Sequence, residues 1–250
     1  MIAAHRHDNP QQPMASTPAS ASPGLLLLAA AAIVVAWQVP YGPQALYPLT
    51  LLATFAHEMG HGIAALLVGG DFDRLSLHAN GSGLAEWRGE AGRFARAAIA
   101  AGGLLGPTVA GVGLLLLAGS TRQARVLLWV FAAGLVFCVA MWVRNPFGIV
   151  FLLAMAAALA AAGRWLKDSG AAFLLHVLAA VLCLSWFRDL DYMFSGTAVV
   201  GGVARPSDSA VIAQNLWLPF WFWGALVAVL SLGLLVLGLW IVHRRSRGWR

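Results

Sequence analysis

The sequence predicts an all-α polytopic membrane protein with six or seven transmembrane helices and one small β-hairpin. Of its 250 residues, 60% are hydrophobic and only 10% are charged, whereas a soluble domain has roughly 25% charged residues. The hydrophobic residues also lie in long segments, several of them close to the ~20 residues with which a helix crosses a bilayer. We therefore expect an integral, multi-pass membrane protein whose main partner is the lipid bilayer.

The formal net charge of +6 does not indicate a nucleic-acid partner. The basic residues lie in short loops and at the C-terminus, and they form no basic face with interleaved aromatic residues. Such a distribution is typical of charges that border membrane spans. We therefore predict no nucleic acid among the partners of this protein.

The two ends of the chain differ from its centre in composition. Residues 1–23 are polar and rich in Pro, Ser, Ala and Gln, which predicts a disordered tail. Residues 24–243 are predicted to form one membrane-embedded domain, and residues 244–250 a basic C-terminal tail. The first apolar run, residues 25–39, is short for a span. The protein has seven spans if this run crosses the membrane and six if it does not. The distribution of basic residues among the loops does not settle which side of the membrane each loop is on.

Six longer apolar segments follow the first run. Gly69 and Gly70 end the first of these segments. Arg144-Asn145-Pro146 divides what would otherwise be a helix of about 40 residues, and because ~20 residues already cross the bilayer, this stretch must form two spans. The segments are residues 46–68, 97–118, 124–143, 147–162, 171–187 and 216–242.

A polar interval, residues 71–93, separates the first two of these segments and predicts a β-hairpin. Phe72, Leu75 and Leu77 alternate with polar residues, as expected of a half-buried strand. Asn80-Gly81 supplies a tight turn, and the apolar pattern continues on the return strand.

The segment His57-Glu58-Met59-Gly60-His61 contains the residues that indicate chemistry. Histidines at positions i and i+4 of a helix lie on one face, ~5–6 Å apart at Cβ, and can bind one zinc ion. Glu58 can then act as the general base toward the attacking water. A carboxylate in mid-span costs ~2.5–3.5 kcal/mol, so a shared Zn²⁺ explains these three polar residues better than a metal-free contact between helices.

These residues resemble the site-2 protease family of intramembrane zinc metalloproteases, especially its compact bacterial branch. The resemblance rests on His57 to His61 and extends in pattern through the predicted hairpin and the glycine-rich residues 102–107. It implies a zinc-dependent endopeptidase of the bacterial cell membrane that cleaves membrane-anchored protein or peptide substrates. It also implies that the hairpin presents the substrate as an extended strand.

The chain departs from the family at the third metal ligand. The family takes this ligand from an aspartate in an Asn-Pro-Asp-Gly or Leu-Asp-Gly motif, whereas this sequence has Asn145-Pro146-Phe147-Gly148. Because a catalytic zinc has about three protein ligands, we predict that Asp189, at the end of an apolar helix, replaces the missing aspartate. Asp191 is the alternative. Four further candidates are expected to have roles in loops rather than at the metal, namely Asp71, Asp73, His78 and Asp208. Asp208 in particular lies in a Gly- and Ser-rich loop, with no helix or strand predicted to hold it in place.

A second function from another class stays open. A non-catalytic membrane protein could keep the histidines for metal binding or as a scaffold, and the missing aspartate supports this alternative. Glu58 argues against it, because metal binding alone needs no general base beside the histidines. A transporter is less favoured, since few ionisable residues lie in the other predicted spans.

Overall fold

The structure is a computed structural model that describes residues 23–247. The predicted tail at residues 1–23 therefore lies outside the described residues, apart from Pro23 at the start of the first helix. The helices are α1 (Pro23–Gln38), α2 (Gly42–Leu67), α3 (Arg93–Leu117), α4 (Thr121–Met141), α5 (Pro146–Trp165), α6 (Asp168–Arg188), α7 (Leu190–Met193), α8 (Asp208–Leu216) and α9 (Phe220–Arg247). The strands are β1 (Asp71–Leu77), β2 (Gly83–Arg88), β3 (Thr197–Val200) and β4 (Val203–Pro206).

The structure confirms the predicted class of a helical, polytopic membrane protein. Within the described residues, five helices are long and apolar enough to cross a membrane, namely α3, α4, α5, α6 and α9. The sequence predicted six or seven. α1 has only 16 residues, fewer than the ~20 that span a bilayer, and α2 is long enough but contains the polar residues of the HExxH motif. α9 continues to Arg247, so the predicted basic tail at residues 244–250 begins inside a helix.

The hairpin that follows the HExxH helix is confirmed. Gly69, with a φ of +86°, follows the end of α2, and β1 then pairs antiparallel with β2. The other edge of β1 is covered by the break between α4 and α5. The Leu75 amide donates to the Trp142 carbonyl at 2.8 Å, and the Arg144 amide donates to the Leu75 carbonyl at 3.1 Å.

Asn145 and Pro146 form this break rather than a metal site. The Asn145 side chain accepts a hydrogen bond from the Leu77 amide at 3.1 Å and donates one to the Leu77 carbonyl. Pro146 is the first residue of α5. A proline is tolerated there because the first N–H groups of a helix have no hydrogen-bond partner within the helix. Phe147 stacks on Phe151, with ring centroids 6.3 Å apart.

A second hairpin, β3–β4, was not predicted. Its strands have four residues each and are joined by Gly201-Gly202, with Val200 paired to Val203. Both glycines have positive φ, +58° and +84°, which is the conformation of a type I′ turn. The strands are too short and too close to glycines to give a clear alternating pattern.

Glycines lie at the contact between α2 and α3. A Cβ added to Gly60 would lie 2.1 Å from the Gly102 carbonyl oxygen, and one added to Gly106 would lie 2.7 Å from the Ala56 carbonyl oxygen. These glycines therefore permit close helix packing. The contact places the motif face of α2 directly beside α3.

Candidate metal centre and active-site cleft

His57 and His61 point toward each other from successive turns of α2. Their Nε2 atoms are 3.1 Å apart, and their ring centroids are 4.8 Å apart with the rings nearly perpendicular. This arrangement follows from the i, i+4 spacing, because residues four apart lie one above the other on a helix. Two imidazole nitrogens are therefore presented to one point in space.

Asp208 completes the group from the first turn of α8. Its Oδ2 lies 2.9 Å from His57 Nε2 and its Oδ1 lies 3.4 Å from His61 Nε2. Ligand atoms bound tetrahedrally at ~2.0–2.1 Å lie ~3.3 Å from one another, and the distances between these three groups are close to that value. Among the described residues, His57, His61 and Asp208 form the one set of three metal-ligating side chains close enough to hold an ion.

Three further hydrogen bonds orient these groups. His61 Nδ1 lies 2.8 Å from the Ile99 carbonyl oxygen of α3. A carbonyl can only accept, so Nδ1 carries a proton, and Nε2 is the ring atom that faces His57 and Asp208. Tyr192 donates its hydroxyl proton to Asp208 Oδ2 at 2.9 Å and accepts from the Asp208 amide at 3.2 Å.

The electrostatics of the centre keep the carboxylate charged. Burial alone would raise the pKa of Asp208, but the adjacent His61 and His57 hold that pKa well below its usual range. Burial and the Asp208 charge raise the pKa of Tyr192 above its usual value. At neutral pH the aspartate is therefore ionised and the tyrosine is a neutral hydrogen-bond donor.

Asp189, which the sequence predicted as the third ligand, is not one of the three side chains of this group. Asp189 follows the last residue of α6, and its Oδ1 accepts from Arg188 Nε at 2.7 Å and lies 2.6 Å from Arg188 Nη2. Asp189 borders the same cleft, as does Asp191. The group formed with the histidines contains Asp208 instead.

Asp208 was set aside in the sequence because its serine-rich surroundings suggested a flexible loop. The two flanking serines are in fact its scaffold, and both are fully buried. Ser207 Oγ donates to the Ser195 carbonyl at 2.5 Å and accepts from the Ala210 amide as the N-cap of α8. Ser209 Oγ donates to the Met193 carbonyl at 2.6 Å. A serine N-cap before Asp208 is the signal that could have identified a helix start at this point.

Glu58 lies on the adjoining face of α2, and only 7% of its surface is exposed. The backbone of β2 packs against it. A Cβ added to Gly83 would lie 2.5 Å from Glu58 Cγ and 2.7 Å from Glu58 Oε1. The first hairpin therefore fixes where this carboxylate points.

α2, the first hairpin and the segment from the end of α6 to β3 meet at a cleft. His57 and Glu58 lie in its floor beside Thr54, and the start of β2 forms one wall with Ser82 and Gly83. The other wall runs from the end of α6 through α7 to β3 and includes Tyr192. A potential base and a potential metal centre are thus open to the same space.

Other candidates from the sequence have structural roles away from the centre. Asp73 pairs with Arg88 across the first hairpin. His78 lies beside the tip of the second hairpin, where a Cβ added to Gly201 would be 3.1 Å from the imidazole. Phe147, which replaces the expected aspartate, stacks within α5 on Phe151 and is not part of the group formed by the histidines.

A family model described as Peptidase M50B-like matches residues 26–238, a range that includes the HExxH helix, both hairpins and α8. No curated protein and no solved structure matches the chain.

Proposed function

The chain belongs to the Peptidase M50B-like family, a site-2 protease family, and on this premise we propose that it is a zinc-dependent intramembrane endopeptidase. Its substrates would be membrane-anchored proteins, cleaved at the cleft between the two hairpins. The observation that carries this proposal is the convergence of His57, His61 and Asp208, the last of them 151 residues from His57 in the chain, beside the buried carboxylate of Glu58.

The donor set fits a catalytic zinc ion. Two imidazole nitrogens and one carboxylate oxygen are ligands that zinc accepts, and three protein ligands leave a fourth position for water or substrate. The Ile99 carbonyl accepts a hydrogen bond from His61 Nδ1, and the Tyr192 hydroxyl donates one to Asp208 Oδ2. Hydrogen bonds of this kind orient the ligands of a metal site. His57, His61 and Asp208 would therefore hold the ion.

When bound, the zinc would supply Lewis-acid polarisation of the scissile carbonyl and lower the pKa of water. The chain would supply the proton transfers. Glu58 would accept the proton of the attacking water and deliver it to the leaving amine. The packing of Gly83 against Glu58 supports this role, because a general base must be held at a fixed position.

A non-catalytic metal-binding or scaffold protein is the alternative. Such a protein would need the histidines and Asp208 but would have no use for a carboxylate held in the cleft by β2. The position of Glu58 therefore favours the peptidase.

The proposal is tested with Glu58→Gln. The parent protein and the variant would be purified in detergent, loaded with zinc and incubated with fluorescein-labelled casein as an unfolded probe substrate. We expect the variant to keep its zinc and to lose about 10²–10⁴-fold in turnover, since an amide cannot accept the proton. Chelation should abolish the parent's activity, and added zinc should restore it. Equal turnover by the parent and the variant would refute the peptidase proposal.

A further inference from the structure

The second hairpin borders the cleft with the edge of a strand rather than with a face. All four residues of β3 line the cleft, namely Thr197, Ala198, Val199 and Val200. Successive side chains of a strand point to opposite faces, so a face would contribute every second residue only. Because four consecutive residues contribute, the backbone edge of β3 faces the cleft.

The register of the hairpin identifies which backbone groups point into the cleft. Val200 and Val203 flank a two-residue turn with positive φ at both glycines, so they form a hydrogen-bonded pair. Hydrogen-bonded and non-hydrogen-bonded pairs alternate along an antiparallel ladder. The pairs Val199–Ala204 and Thr197–Pro206 are therefore non-hydrogen-bonded, which agrees with the missing N–H of Pro206.

Of the two residues whose backbone points away from β4, only Val199 is free to bind. Both backbone groups of Thr197 are already bonded to Ser195. The Thr197 amide donates to Ser195 Oγ at 3.3 Å, and the Ser195 hydroxyl donates to the Thr197 carbonyl at 2.7 Å. β3 pairs with no strand other than β4 in the described part of the chain. The N–H and C=O of Val199 thus form an unused donor–acceptor pair beside the cleft.

The first hairpin has less unpaired strand edge bordering the cleft than the second hairpin has. One edge of β1 is bonded to β2 and the other to the Trp142–Arg144 backbone. β2 contributes only its first residue, Gly83, to the cleft, next to Ser82 of the turn. The Gly201 amide donates to Ser82 Oγ at 3.2 Å, a contact that holds the tip of the second hairpin against the first and keeps β3 beside the cleft.

We propose that β3 binds the substrate by strand addition, with an extended peptide segment paired to the N–H and C=O of Val199. This inference rests on the proposed peptidase function and specifies the substrate as a locally unwound, extended segment. Recognition through main-chain groups tolerates many side chains. It excludes proline at the substrate residue that faces Val199, because that residue must supply an N–H.

Two substitutions in one hairpin test the pairing. Val199→Pro removes the N–H that points into the cleft, and Ala204→Pro removes the equivalent N–H of the paired residue on the outer edge of β4. Neither N–H takes part in the β3–β4 ladder, and edge strands tolerate proline. Val199→Pro therefore alters the edge of the hairpin that faces the cleft, and Ala204→Pro alters the opposite edge. Both variants keep the hydrogen bonds between β3 and β4.

The probes would be acetohydroxamate and a Leu-Val-Ala tripeptide hydroxamate, titrated calorimetrically into zinc-loaded Glu58→Gln protein, so that no turnover is needed. We expect Val199→Pro, in this background, to weaken binding of the tripeptide hydroxamate at least about fivefold, the effect of one lost hydrogen bond. Its affinity for acetohydroxamate should not change. Ala204→Pro should change neither affinity by more than about twofold, within the scatter for surface sites.

Equal affinities of the tripeptide hydroxamate for Val199→Pro and Ala204→Pro would overturn the strand pairing while leaving the metal centre intact. If Val199→Pro fails to fold, the test uses tripeptide hydroxamates that are singly N-methylated at each backbone amide, with the hairpin unaltered. At least one should bind about fivefold more weakly, and no loss in any of them would also overturn the pairing. Failure of acetohydroxamate itself to bind would instead refute the metal centre, and the strand pairing with it.

Discussion

Tyr192 donates a hydrogen bond of 2.9 Å to the same oxygen of Asp208 that lies 2.9 Å from His57 Nε2. The tyrosine also accepts from the Asp208 backbone amide and stands edge-on to the His57 ring, with centroids 6.0 Å apart. It therefore fixes both the position and the rotamer of Asp208. Tyr192 is a positioning residue of the proposed metal centre.

Tyr192→Phe should weaken zinc binding. The substitution keeps the ring against His57 but removes the hydroxyl that holds Asp208, and loss of such an outer partner typically costs 10–100-fold in metal affinity. We would measure the zinc dissociation constant by competition with a chromophoric chelator. The matched control is Tyr47→Phe, which removes a hydroxyl bonded to the Ala79 carbonyl of the first hairpin. Equal zinc affinities of the two variants would contradict the role of Tyr192.

Gly83→Ala should reduce turnover without loss of zinc. The added methyl group would lie 2.5 Å from Glu58 Cγ, so the carboxylate must move. A displacement of about 1 Å at a reacting group can cost ~10²-fold in rate. Zinc content and casein cleavage would be measured on the same preparation, with Gly113→Ala in α3 as the control because nothing lies within 4 Å of the added Cβ. Full activity of Gly83→Ala would show that β2 does not position Glu58.

Ser207→Ala should affect both stability and the metal centre. Ser207 is the N-cap of α8 and ties its start to the Ser195 carbonyl. Loss of an N-cap costs ~1 kcal/mol, and the freed helix start should hold Asp208 less firmly. Ser120→Ala removes the N-cap of α4 and serves as the control. Both variants should lower Tm, and only Ser207→Ala should weaken zinc binding. The same zinc affinity in both variants would disprove the link between the cap and the ligand.

Much of the fold follows from local sequence patterns. Apolar length predicts the spans, Gly69-Gly70 predict the end of α2, and Asn80-Gly81 predicts the first hairpin turn, because each of these signals lies within a few neighbouring residues. The HExxH pair is local as well, since the i, i+4 spacing alone brings His57 and His61 together. The second hairpin has strands of four residues each, too short for a periodic signal.

Asp208, the third residue of the candidate metal centre, could not be identified from local sequence patterns. Asp208 reaches the histidines through tertiary packing, as α8 packs against α3 and α3 packs against α2. Asp189 looked better held, since it follows directly on an apolar helix, but its carboxylate accepts a hydrogen bond from Arg188, the residue before it in the chain. The buried bonds of Ser207 and Ser209 that make Asp208 rigid join residues 12 and 16 positions apart, and no local pattern reveals them.

The zinc content of Asp208→Ala and Asp189→Ala tests the metal centre most directly. Both variants, the parent and a His57→Ala, His61→Ala double variant would be purified in detergent, equilibrated with zinc, dialysed and analysed by atomic emission. Because a catalytic zinc site uses three protein ligands, the parent and Asp189→Ala should carry about one zinc per chain. Asp208→Ala and the histidine double variant should carry little or none. Full zinc in Asp208→Ala, or its loss in Asp189→Ala alone, would contradict a centre formed by His57, His61 and Asp208.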